Sequence, residues 1–572
     1  MRNSWYRNVT AALVAGSLLV AAVHPMNAVL GENAAVAQGA SFQLTETVVA
    51  EVKSVVNERT ADGMRLGAVV KLSNQGKQLT RVPDYEVRLR SKDGVEYILQ
   101  PSTLNPTAIQ PLESVELQYM MMVETTSLIS LDYLAWVDSD WDVYPKVEKE
   151  KLRIPIETKV WTGLSESNRG EASAYPWGKP FALPELADGL LFTPIGSYRQ
   201  VGTQGPVTII SLLVENTGSQ EVTLPKLLLD GRAGSKVYKG ARAGKTPERL
   251  APQGKQYLYF AIPAEGNVEL ESAAVLTENT FQSGAQKTIT YQVGWLTLQL
   301  PKAESTAAWF GRLPSYGLNQ PIFLDLMHSL IHPNVEMSLV EMHLLEERGK
   351  NYKAVNAKLK LTNKGDSPLP LPSFRAELVN TQGLSYTGNR VGTTAETLLP
   401  QFGYIMNYTF VIPAEETGEN LALRILDTKA VEPYSLPVGG FRAKVQQGGL
   451  NEDFDLYPFR IRLKDYYLQS TFNTGVFTLT MKAKLNLELE QEERVLADQG
   501  LSHLKLELTD ATGKIIGSGS LPLTGENRIR NGENIIKLGE IDHSSSGLTL
   551  HIYEAVETPF GEALRLLRVL KQ

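Results

Sequence analysis

The sequence predicts an all-β fold of about four antiparallel sandwich modules in tandem behind an N-terminal export signal. Three observations carry that expectation. Turn residues recur at fixed offsets along the 572 residues. The segments between those turns alternate apolar and polar with period two, as half-buried strands do. Residues 1–37 place Arg2 and Arg7 before an apolar stretch from Val9 to Val23 and an Ala35-Val36-Ala37 cleavage site, the order of a secretory signal peptide. The length fits roughly three to five domains, and a composition 42% hydrophobic and 21% charged supplies enough apolar surface for packed cores.

The repeats are explicit. Asn74-Gln75-Gly76, Asn216-Thr217-Gly218 and Asn363-Lys364-Gly365 each close an apolar run, 142 and 147 residues apart. A proline follows nine residues after each asparagine, at Pro83, Pro225 and Pro372, and a second at 37, 36 and 37 residues, at Pro111, Pro252 and Pro400. The expected physics is that Asn and Gly accept the positive φ of a tight turn and proline opens a strand. Glu86-Val87-Arg88-Leu89-Arg90, Ser114 to Tyr119 and Ala357-Lys358-Leu359-Lys360-Leu361 read as strands with one buried and one solvent face. Asp93-Gly94 and Asp230-Gly231 read as hairpin turns, and Gln382-Gly383 fills the equivalent slot. About seven short strands per module is the immunoglobulin-like pattern. The expected division is a signal peptide at 1–37, modules at 38–160, 185–300, 335–435 and, diverged, 455–572, with connectors at 161–184, 301–334 and 436–454. The connectors carry Pro, Gly and aromatics and are expected to pack against a neighbour, the second of them with a short helix.

The order strand, Asn-x-Gly, Pro, strand, turn, strand, Pro turn, strand, Ile-Pro-Ala-Glu resembles the telokin-like immunoglobulin modules of bacterial secreted and surface proteins. Asn216 to Glu265 and Asn363 to Glu415 carry the resemblance best, while Val123-Glu124 departs from it. The resemblance implies an extracellular place and a binding or spacing role, with no catalytic residues to transfer.

Composition excludes several activities. With no cysteine there is no lipoprotein anchor, disulfide scaffold or thiol chemistry, and such export is common in Gram-positive envelopes. Loss of residues 1–37 moves the formal charge from -7 to -8, which offers nucleic acid no global footprint. No later segment is apolar enough for a membrane span in the mature chain. There is no GxSxG, no HExxH and no placed carboxylate pair, so the chain is not expected to be an enzyme.

The candidate sites are few. Trp141, Tyr144, Trp161, Tyr175 and Trp177, with Trp136 and Phe181 beside them, form an aromatic band suited to stacking on saccharide faces or, alternatively, to filling the joint between the first two modules. Asp138, Asp140 and Asp142, with Glu148, open like a calcium loop, but Val143 and Lys149 stand where an EF-hand needs Gly and Glu; the other reading is a solvated acidic turn. His328 and His332 lie four apart with Asp325 near them and read as packed or capping histidines before a metal site. Gly240 to Thr246 imitates a phosphate loop but is one residue short and followed by Pro247; Lys236, Lys239, Arg242, Lys245 and Arg249 leave it locally basic. Leu521-Pro522-Leu523-Thr524-Gly525 matches a sortase signal without the apolar tail that signal needs, and reads as a turn. The expected role is a secreted, non-enzymatic spacer or protein-interaction scaffold of the cell envelope, whose partner is a cell-wall polymer or another envelope protein. The alternative is a carbohydrate or wall-polymer binder that uses the aromatic band. No cofactor is expected apart from calcium at the aspartates.

Overall fold

A computed structural model describes residues 41–571, apart from 157–158, 164–173, 203–204, 246, 267, 285–286, 303–305, 325–329, 347–348, 394, 447–452, 474–477 and 542–546. The expected signal peptide lies outside the described residues, as do His328 and Asp325. The chain is all-β: among the described residues one short helix, Thr306–Arg312, accompanies the strands. That helix falls in the stretch 301–334, upstream of the histidine segment in which the sequence suggested one.

The strands fall into four consecutive groups with one shared order. In the first, Val48–Thr60 pairs with Gly63–Asn74 and that with Ser114–Val123, while Glu96–Pro101, Glu86–Ser91, Leu131–Asp140 and Val147–Pro155 follow side by side. The second repeats it with Leu190–Gly202, Gly205–Asn216 and Lys255–Pro263 in one sheet and Lys236–Tyr238, Leu227–Ala233, Ser272–Gln282 and Thr288–Gln299 in the other. The third uses Val335–Glu346, Tyr352–Asn363 and Gly403–Pro413, then Ser385–Asn389, Phe374–Asn380, Leu421–Asp427 and Leu436–Ala443. The sequence reading closed this group at 435, yet its last strand is Leu436–Ala443. The fourth has Phe459–Asn473, Thr478–Gln491 and Gly532–Ile541, then Ile515–Pro522, His503–Thr509, Thr549–Thr558 and Gly561–Lys571.

The recurring asparagine turns out to be a clip. Asn74, Asn216 and Asn363 are buried. Asn216 Nδ2 donates to the carbonyls of Gln220, Leu250 and Ala251 at 2.8, 3.0 and 3.1 Å, and its Oδ1 accepts from Gly218 N at 2.9 Å. Asn74 makes the same four bonds, and Asn363 donates to Ser367 and Leu398 and accepts from Gly365. These glycines do not adopt positive φ, contrary to the sequence expectation. They are small because a Cβ on Gly76 or Gly218 would stand 3.0 or 3.2 Å from the asparagine oxygen.

Positive φ falls instead on the residue after the second proline, at Leu112, Gln253 and Gln401, with φ of 60°, 58° and 60°. In each case the amide two residues past the proline donates back across a type II turn, as Gly254 N does to Ala251 O at 2.9 Å. The carbonyl of that last residue then takes the amide of the clip asparagine, 2.9 Å from Asn216 N to Gly254 O. In the fourth group Gln491 occupies the register position opposite Phe459 that Asn363 occupies opposite Val335, so the clip is lost there while the strand order is kept.

Each group also bends its first strand at one place. The pairing shifts around Lys53, Ile195, Val340 and Lys464, each five residues after the partner of the clip position. Such bulges add local twist to the strand.

The clip predicts that Asn216→Asp, which keeps the acceptor and deletes the donors, costs as much as Asn216→Ala. Both are expected to lower stability by about 2 to 3 kcal/mol, since buried carbonyls lose their partner. Urea unfolding of the two variants beside the wild type checks this; an unperturbed Asn216→Asp would show that the Nδ2 bonds carry nothing.

Candidate functional site

The aromatic band is divided in two by the structure. Trp161 sits on a short parallel pairing, Trp161 opposite Val56, and lies so tightly on Gly294 that a Cβ there would come 2.3 Å from its ring. Tyr175 bridges to the backbone of Thr297 and Gln299 and sets its ring edge-on to Phe181 at 5.8 Å, with Trp177 half-buried against the same core. Trp136 is buried in the first core. Trp141 and Tyr144 are the opposite case. They occupy the tip between Leu131–Asp140 and Val147–Pro155, 71% and 98% exposed, with Val143 and Val147 exposed beside them. Lys146 Nζ covers one indole face at 3.6 Å from its centre, which leaves the other face to solvent.

The three aspartates lie on the same tip and do not converge. Asp138 pairs with Lys151 at 3.0 Å, and Asp140 Oδ1 accepts from Asp142 N at 3.0 Å. Glu148 is drawn back to Arg88, which is itself held by Glu86 and Glu96. Hydrogen bonds from Arg88 and Lys146 hold the Glu148 carboxyl down at about 2. His332 is exposed, its Nδ1 accepting from Asn334 N at 3.1 Å as a local cap.

The other sequence motifs are absorbed by the fold. Ala241–Ala243 is a strand where a phosphate loop was imitated, and Gly244 lies against Ala430, whose carbonyl would be 1.8 Å from a Cβ. Lys236 pairs with Glu265 and Arg249 with Glu221, while Lys239 and Lys245 are exposed. Arg242 is half-buried, with Nε and Nη2 making no hydrogen bond, and burial lowers its pKa. Leu521 and Leu523 of the sortase look-alike are buried in the fourth core.

The densest chemistry lies where sequence reasoning saw only strands, between the third and fourth groups. Here the first residues of Gly403–Pro413, beyond its pairing with Ser385–Asn389, gain a parallel partner, Val495–Ala497, from the fourth group. Asp498 follows, fully buried. It accepts from Arg390 Nε and Nη2 at 2.7 and 2.8 Å, from Tyr404 Oη at 2.8 Å and from Asn407 N at 3.1 Å.

Beside it Glu341, His343 and Lys358, on Val335–Glu346 and Tyr352–Asn363, face Glu554 and Arg565, on Thr549–Thr558 and Gly561–Lys571. Lys358 Nζ is 2.8 Å from Glu341 Oε1 and 4.0 Å from Glu554 Oε1. His343 Nδ1 is 3.5 Å from Glu341 Oε1 and 3.7 Å from Glu554 Oε2. Arg565 donates to Glu554 Oε2 at 2.8 Å, and Tyr457 N to Glu341 Oε2 at 2.6 Å.

Burial pushes the Glu341 carboxyl up, against the pull of Lys358. Burial acts the same way on Glu554, but Arg565, Lys358 and His343 outweigh it and hold that carboxyl low. Burial, with Arg565 and Lys358, pushes His343 down to about 4 against the pull of Glu554, so its ring is neutral at pH 7.

Glu341, His343 and Arg565 also line a cleft of about 590 Å³, together with Asp453, Asp455, Tyr457, Arg460, Glu490 and Glu492. Among the described residues two groups converge three histidine or carboxylate ligand atoms within 4.8 Å, Glu341–His343–Glu554 and the less buried His503–Glu557–Glu562. Neither was legible from spacing, because each gathers its members from separate strands.

No protein-family model matches the chain, and no curated protein does. Among solved structures, the chain is similar to dimeric latent PorU from Porphyromonas gingivalis at 11% identity, over 64% of this chain and 31% of that one, with a TM-score of 0.15. The chain thus spans about a third of PorU's length.

Replacing Asp498 with alanine leaves Arg390 without its buried partner and is expected to cost about 3 to 5 kcal/mol. The double change Arg390→Met, Asp498→Leu is expected to recover most of that. Chemical unfolding of the single and double variants tests the pair, and equal losses in both would mean that backbone pairing alone carries the joint.

Proposed function

We propose that the chain is a secreted, non-enzymatic scaffold of the cell envelope, made of four immunoglobulin-like sandwich modules whose joints hold them in fixed order. The observation that carries this reading is the continuity of packing and pairing across every joint. Between the first two modules Val56 and Met120 pack with Phe281, Tyr291 and Val293, and Thr103 N donates to Gln282 O at 2.9 Å. Between the second and third, Val207, Ile209, Tyr257 and Tyr259 belong to the same core as Met337, Leu359 and Tyr408, and Gln200 Nε2 donates to Ser435 O at 3.0 Å. Between the third and fourth, strands pair and ions are buried. Chains that only need a tether use polar linkers; burial of this kind suits a spacer that transmits orientation. Export rests on residues 1–37, whose sequence has the order of a signal peptide.

Small-angle scattering tests the spacer. A single particle size that is unchanged between low and high salt is expected, and a spread of sizes that grows with salt would sink the fixed-order reading. Hydrolysis of a wall polymer or peptide, abolished by a single-residue change, would overturn the non-enzymatic part.

A second reading is supported by the tip at Trp141 and Tyr144, since flat exposed aromatics with a polar edge stack on sugar rings. In that reading the tip binds a cell-wall saccharide, and the Trp161, Tyr175 and Trp177 part of the band serves the fold. Trp141→Ala with Tyr144→Ala is expected to reduce retention on purified cell walls at least tenfold with no change in thermal unfolding. Unchanged retention would leave the scaffold reading without this addition.

A further inference from the structure

We infer that Glu341, His343 and Glu554 form a binding site for a zinc-type divalent cation at the joint of the third and fourth strand groups. Three facts carry it. All three side chains are more than nine-tenths buried, at 3%, 5% and 0% exposure. His343 Nδ1, Glu341 Oε1 and Glu554 Oε1 make no hydrogen bond. Glu341 Oε1 has Lys358 Nζ beside it, while His343 Nδ1 and Glu554 Oε1 are left without a hydrogen bond in the same buried place.

The spacing suits a small tetrahedral ion. Zinc bonds of about 2.0 to 2.1 Å to imidazole and carboxylate put neighbouring donors about 3.3 Å apart. His343 Nδ1 stands 3.5 Å from Glu341 Oε1 and 3.7 Å from Glu554 Oε2, the oxygen that Arg565 holds, and one ligand atom from each of the three residues lies within 4.8 Å of the others. One imidazole with two carboxylates is a donor set for zinc or a neighbouring transition metal, whereas calcium asks for six or more oxygens. Other groups already orient the ligands, Tyr457 N on Glu341 Oε2 and Arg565 on Glu554 Oε2. The cleft lined by Glu341 and His343 is the way in.

Lys358 is the competitor. Its ammonium lies 2.8 Å from Glu341 Oε1, yet Nζ makes no well-aligned hydrogen bond. A dication and an ammonium do not share this space at the usual cost. Binding is therefore a competition for Glu341 Oε1: the ion enters and the Lys358 side chain gives up its 2.8 Å contact with that oxygen. Nothing is oxidised or reduced.

Titration calorimetry of the chelator-treated full chain with zinc chloride tests the site. The expected result is saturable binding of one ion per chain. His343→Gln is expected to weaken binding at least tenfold. Lys358→Met, which removes the competing side-chain nitrogen from Glu341 Oε1, is expected to tighten it at least tenfold. Cobalt in place of zinc gives a second readout, a tetrahedral absorption band present in the wild type and absent in His343→Gln, with circular dichroism confirming that the variant folds. A His503→Ala control separates this site from the outer cluster. No saturable binding to the wild type would overturn the inference and leave Lys358 as the partner of Glu341. Binding lost with His503→Ala and kept with His343→Gln would overturn it in favour of the outer cluster.

Discussion

A charge can be buried only where its partners are buried with it, and that requirement governs how this chain is joined. Lys358 has no exposed surface, Glu554 none, and Asp498 none. Asp498, from the fourth group, takes its cation Arg390 from the third, whereas Lys358 and Glu554 pair with Glu341 and Arg565 of their own groups and come within 4.0 Å of each other across the joint. The third and fourth groups are therefore tied by one buried ion pair, Arg390 with Asp498, and by two intra-group pairs that cover each other. The parallel strand at Val495–Ala497 and the insertion of Val340 into the fourth core follow from the same closure.

The earlier joints reach a similar end by apolar means. Phe281, Tyr291 and Val293 meet Val56 and Met120, and one core runs from Tyr257 to Phe410 across two groups. The gradient from apolar to ionic joints changes what each can tolerate. An apolar joint accepts a swap of similar volume, whereas an ionic joint loses several kcal/mol when one member is removed alone.

Much of the architecture is legible in the sequence, because turn chemistry is local. Asn216, Pro225 and Pro252 stand at offsets that reappear in two other copies, and those offsets mark the strands correctly even though the expected reason, positive φ at the Asn-x-Gly, is mistaken. The asparagine matters through its side chain, which a φ-based reading cannot see. The candidate site was not legible. Ala357-Lys358-Leu359-Lys360-Leu361 alternates as a half-exposed strand should, and nothing in it distinguishes Lys358, which the fourth group covers, from Lys360, which reaches Glu492 at the rim. In the aromatic band, likewise, Trp141 and Trp161 look alike in the sequence, and only the position of Gly294 shows that one of them is a packing residue.

The bulge in each first strand has a consequence of another kind. At one equivalent place the four copies carry Lys53, Ile195, Val340 and Lys464. Lys53 reaches Glu116 and Lys464 reaches Glu488 within their own groups, Ile195 is exposed, and Val340 enters a foreign core. A position that stands out of the pairing can change its side chain without disturbing the alternation on either side of it. It thus behaves as an address label, by which each strand group meets its own neighbour while its interior keeps the shared pattern, and it makes the copies non-interchangeable in their order along the chain.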